Sequence, residues 1–167
     1  RQLVDDLMKL RKTGDVRPLV SGALDRLRQS PSRTEGTPQL VALCRSMEQV
    51  HAALEERLLH IECDFEDIRK YREAVEAAHA GKATILLAPP RIVRPGETGI
   101  LKNVLGAGAD GYLVRSTAHF KHFPPGLLVG DFSLNIANEL ASDWYLSRGL
   151  HRFVPSYDLN WDQFAAL

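Results

Sequence analysis

Between Val129 and Asn138 the chain reads VGDFSLNIAN, which brings one carboxylate, one hydroxyl and two amides close together. Along an extended stretch Asp131, Ser133 and Asn135 share a face, and Asn138 follows Asn135 by one turn where a helix is expected to start. All four can therefore surround one space. The alternative for Asn135 is to cap that helix, and for Ser133 to be solvated. A carboxylate so placed can act as general base on water, and a nearby guanidinium can stabilise an oxyanion. Ser133 is not framed as a nucleophile elbow, because its context is Gly-Asp-Phe-Ser-Leu rather than G-x-S-x-G.

Comparable residues close the other apolar runs of the sequence. Arg45, Asp64 with Glu62, Arg91 after Pro89-Pro90, Arg115-Ser116 and Ser156-Tyr157-Asp158 each follow or end a short β-rich run. In parallel α/β folds ligands meet the C-terminal ends of the strands, so these side chains are expected to converge on one mouth. Asp131, Asp64 and Arg115 are the catalytic candidates. Arg45, Arg91, Ser133, Asn135, Asn138 and Asp158 are the candidates for holding substrate.

His119 and His122 stand one turn apart, but no third or fourth ligand lies at a recognised metal spacing, so they read as a surface or helix-end pair. Cys44 and Cys63 sit in apolar runs and read as buried thiols of a reducing cytoplasm. Two thiols cannot hold a four-cysteine cluster, so neither metal nor cofactor is expected within this chain. The segment from Gly106 to Val114, GAGADGYLV, matches the spacing of a dinucleotide-binding turn. Its order is helix, glycines, strand, the reverse of what that turn requires, so Gly106 or Gly108 is expected as a left-handed helix cap and Asp110-Gly111 as the start of a strand.

These residues need a scaffold, and 167 residues with 44% hydrophobic and 25% charged content suffice for about one globular domain. The formal charge is zero, so the total gives no nucleic-acid footprint. No window approaches a membrane span, and the N-terminus is not a signal peptide. Without an initiator Met, and with an unterminated helix expected over residues 159–167, the chain reads as a piece of a longer protein. Residues 1–29 carry apolar positions at helical spacing (Leu3, Leu7, Leu10, then Leu19, Ala23, Leu27), and 30–38 read as a linker. From 39 to 167, six strands (40–44, 58–63, 83–88, 111–114, 127–129, 152–155) alternate with helical patterns. That order implies parallel strands in either a barrel or a doubly wound sheet.

The segments LCRSMEQVHAALE, PPRIVRPGE, GAGADGYLVRS and the last forty residues, with GDFSLNIAN, Gly149-Leu-His-Arg and PSYDLN in that order, resemble the collagenase-like peptidase family (family U thirty-two) over about 39–167. The resemblance implies an α/β fold of the TIM-type (β/α) barrel, incomplete here with six of eight strands, behind an N-terminal helical segment. It implies a peptidase, a hydrolase of peptides. A second set of members implies instead the substrate-binding part of an iron-sulfur-dependent hydroxylation factor acting on RNA or a quinone precursor, and a non-enzymatic binding scaffold is the third reading. In cluster-containing members the ligating cysteines lie beyond the sixth strand, and neither Cys44 nor Cys63 falls on those positions. The expected partners are a peptide or small-molecule substrate, the rest of the parent chain and a second copy of the chain, with no membrane. Six strands cannot close an eight-stranded barrel, which is why association is expected.

Overall fold

The computed structural model describes residues 2–12, 21, 22, 25, 37–165 and 167. The first expected helix is α1 (Gln2–Lys12), on which Leu3, Val4, Leu7, Met8 and Leu10 are exposed. The second, around Leu19 to Leu27, and most of the 30–38 linker lie outside the described residues.

Six strands follow, β1 (Ala42–Cys44), β2 (His60–Cys63), β3 (Thr84–Leu87), β4 (Gly111–Val114), β5 (Leu127–Gly130) and β6 (Arg152–Phe153). Between and after them run α2 (Met47–Glu55), α3 (Tyr71–Ala80), α4 (Thr98–Gly106), α5 (Glu139–Leu146) and α6 (Trp161–Ala165). Every strand pairs in parallel with its sequence neighbours, in the order β1-β2-β3-β4-β5-β6. A doubly wound sheet reverses its strand order at a switch point, and this one does not.

The sheet curls into a half-barrel. On a flat sheet β2 and β6, four strand spacings apart, would be separated by about 19 Å. Yet Arg152 Nη2 on β6 lies 3.4 Å from Glu62 Oε1 on β2, so the two strands face each other across a concavity. The convex face carries the main core, where Ile61, Cys63, Ile85, Leu87, Tyr112 and Val114 pack with Val50, Tyr71, Ala74 and Val104 of the helices. The concave face holds a smaller apolar cluster of Leu86, Ala88, Leu113 and Val129. Strands buried on both sides account for the nearly continuous apolar runs of the sequence.

The rim at the strands' N-terminal ends repeats one device. Arg57, Lys82, Gly108 and Gly149 precede β2, β3, β4 and β6, each with positive φ (60°, 60°, 79° and 100°), and each turns the chain from helix to strand. The GAGADGYLV segment therefore caps α4 through Gly108, and β4 starts at Gly111, where a Cβ would collide with the Leu127 carbonyl of β5. The Asp110 carboxylate accepts a hydrogen bond from the Ile85 N–H at 2.8 Å and stands 3.2 Å from His79 Nε2, tying the turn to β3.

Candidate functional site

At the opposite rim the strand-end residues converge on Arg115, which follows β4. Its Nη1 and Nη2 donate to the two carboxylate oxygens of Asp64 beyond β2, at 2.7 and 3.2 Å. Its Nε donates to Asp131 Oδ2 beyond β5 at 3.2 Å, and Nη1 also reaches the Pro89 carbonyl beyond β3 at 3.3 Å. One guanidinium thus clasps the ends of four consecutive strands. Of its five N–H groups four are engaged, which leaves one Nη2–H. The clasp is nearly dry, with the Arg115 side chain 9% and the Asp131 side chain 10% exposed. Two carboxylates on one guanidinium give it a net charge of −1.

Ser133 donates a 2.7 Å hydrogen bond to Asp131 Oδ2, and is also 3.1 Å from the Arg115 carbonyl. Asn135 takes left-handed backbone angles (φ 56°) and accepts from the buried Ser156 hydroxyl at 2.9 Å. The cap of α5 is Asn138, whose Oδ1 accepts from the Ala141 N–H at 2.9 Å. The capping role considered for Asn135 thus falls to its neighbour, because Asn135 is already turned away to close the short 3-10 turn at Phe132–Leu134.

Arg91, Arg115, Ser133, Asn135 and Asp158 line one open cleft of about 560 Å³, together with Ile92, Phe132, Ser156 and Tyr157. Asp64 and Asp131 support its floor through Arg115. Asn138 and Arg45 do not line it. Asn138 faces a smaller hollow beside α6, and Arg45 is exposed at the end of β1, its backbone N–H given to Gln49 Oε1.

Phe132, not singled out from the sequence, and Tyr157, expected only as one member of the strand-end set, supply the cleft's most distinctive surface. Their rings stack at 4.7 Å and 13°, and the Arg91 guanidinium sits 4.7 Å from the Phe132 centroid. Tyr157 is 75% exposed, so this stack is open to a ligand. The available signal was that each aromatic directly follows a polar strand-end residue, Asp131 before Phe132 and Ser156 before Tyr157.

Of the surface or helix-end pair expected at His119 and His122, His122 caps the 3-10 helix at Thr117–Lys121, whereas the surface placement is corrected at His119, which is buried at 1% exposure. Its Nδ1 accepts the Arg115 N–H at 3.0 Å and its Nε2 donates to the Pro90 carbonyl at 3.2 Å, so the neutral ring clamps the β3 and β4 loops together. Burial pushes the imidazole down to about 4, and the Arg115 charge adds to that fall against the opposing Pro90 hydrogen bond. Inside the half-barrel, burial raises the Glu62 carboxyl, an effect that Arg152 partly offsets.

Among the described residues no helix is long and apolar enough to cross a membrane. Comparison of the chain with protein-family models, curated proteins and solved structures found no match.

Proposed function

We propose that the cleft receives a ring-bearing substrate, and that this chain is the substrate-binding part of an enzyme of the hydroxylation-factor kind, acting on RNA or a quinone precursor. The observation that carries this reading is the exposed Tyr157–Phe132 stack backed by Arg91, beside a polar wall of Ser133, Asn135 and Asp158. A planar group gains by offset stacking on such a face, and Arg91 already uses the Phe132 ring in that way. Arg115 supports the reading through what it cannot do. With four N–H groups committed to the clasp, it is an architectural residue with one donor left over.

Enzymes of that kind use an iron-sulfur cluster, and the described residues do not fit one. Cys44 and Cys63 are register partners on β1 and β2, both buried, and burial pushes the Cys63 thiol up to about 12. No three or more His, Cys, Asp or Glu among the described residues form a group that could hold a metal ion. No step is therefore routed through a cluster, and the role of these residues is to bind and orient.

Peptide hydrolysis is the second reading, favoured by the 2.7 Å hydrogen bond between Ser133 and Asp131. In it, Asp131 takes a proton from water and the last Arg115 N–H meets the developing oxyanion. Two experiments separate the readings. Saturable binding of phenol that is weakened about tenfold in Tyr157→Ala supports the ring-binding reading. Cleavage of unstructured peptides that is lost in Asp131→Asn, with folding retained, would replace it by hydrolysis.

A further inference from the structure

A second cavity, of about 310 Å³, adjoins the cleft and shares Arg91 and Ile92 with it. Its other walls include Arg94, His122, Ser116 and Thr98, the first residue of α4. No carboxylate lines it, although acidic and basic residues are equal in number along the chain. Within the described residues Arg91 and Arg94 have no carboxylate oxygen within salt-bridge distance of their guanidinium groups. Arg152 and Arg69 each have one, and Arg115 has two. The nearest acid along the chain, Glu97, turns its carboxylate onto the Arg94 backbone N–H at 2.9 Å and is not part of the lining.

From this we infer that the second cavity is an oxyanion subsite, holding a phosphate or carboxylate group of the same ligand whose ring lies on Phe132 and Tyr157. The inference rests on the proposed ring-binding cleft for the ligand's other half. Arg91, Arg94 and His122 line this hollow and are of the residue types whose donors match either oxyanion, and no carboxylate is part of the lining. Arg91 divides the two spaces, so one ligand can stack its ring on one side and place its anion on the other. The buried, neutral His119 forms the back wall and adds no charge. The substrate class that fits is an aromatic compound bearing an anionic group.

The test uses the whole chain, titrated calorimetrically with phenol, inorganic phosphate, phenyl phosphate and phenylacetate, in parallel with the variants Arg94→Gln and Tyr157→Ala. The expected result is that phenyl phosphate or phenylacetate binds about tenfold more tightly than phenol, that added salt weakens this binding, and that Arg94→Gln removes the gain while phenol binding stays unchanged. The tighter of the two charged probes identifies the oxyanion. If phenol binds and responds to Tyr157→Ala, but the charged probes bind no more tightly and ignore Arg94→Gln, the oxyanion subsite is overturned and the ring-binding cleft survives. If inorganic phosphate binds and is lost in Arg94→Gln while no ring binds, the subsite stands and the ring-binding cleft fails. Binding of none of the four overturns both.

Discussion

The two rims of the half-barrel are built on different principles. At the N-terminal ends of the strands four turns use one solution, a single left-handed residue between helix and strand, whichever residue type occupies it. At the C-terminal ends no two loops are alike, and their side chains meet around Arg115. Repetition on one rim is what the fold requires of any helix-to-strand turn. Divergence on the other, with charges held nearly dry and the Tyr157 ring left exposed, lies at the end of the strands where parallel α/β folds place their ligands.

The largest effect expected from breaking this contrast comes from Arg115→Leu. It leaves Asp64 and Asp131 facing each other without their cation, and should cost about 3–5 kcal/mol in urea denaturation. Loss of less than 1 kcal/mol would mean that the clasp does not hold the C-terminal rim together.

Next in size is a pH effect at His119. Its folded-state value, about 4, lies below the ordinary 6.5, so the unfolded chain binds a proton that the folded chain refuses between these values. Its contribution is complete above pH 6.5 and is lost as pH falls towards 4, a drop of roughly 3 kcal/mol. His119→Asn should flatten stability across that window. Glu62, raised by burial, acts in the opposite sense as pH rises, so the His119 slope is read from the difference between wild type and variant.

On the N-terminal rim the expected change is smaller and of opposite sign. Lys82 holds φ at 60°, a conformation glycine adopts without penalty, and its side chain is exposed. Lys82→Gly should raise stability by up to about 1 kcal/mol and leave phenol binding unchanged. A change in binding would show that the two rims are coupled.

The strand positions were legible because both faces of the half-barrel are buried, which writes each strand as an apolar run with a polar residue at its end. The same rule found Asp64, Arg115 and Asp131, since parallel strands in sequential order leave their ends at one rim. It could not tell that Asn138 rather than Asn135 caps α5, because that depends on the left-handed turn at Asn135. His119 was misread because its burial depends on the Pro89-Pro90 loop folding over it, a contact with no trace in the local spacing. The ring platform was only half legible for a related reason: Tyr157 stands in the strand-end set, but Phe132 belongs to the loop of a different strand, and a search for polar strand ends passes over it. The sequential strand order and the curl, shown by Glu62 meeting Arg152, decided between the two sheet types left open by the alternation of strands and helices.

The central claim is that the C-terminal rim cleft, and not the opposite rim, receives the ring of a ligand. Its most direct test is a titration of the isotope-labelled chain with phenol followed by backbone amide NMR. The account predicts saturable shifts at Phe132, Ser133, Asn135 and Tyr157, with Lys82, Gly108 and Asp110 unmoved. Shifts confined to the N-terminal rim, or none at Phe132 and Tyr157 at saturating phenol, would contradict it.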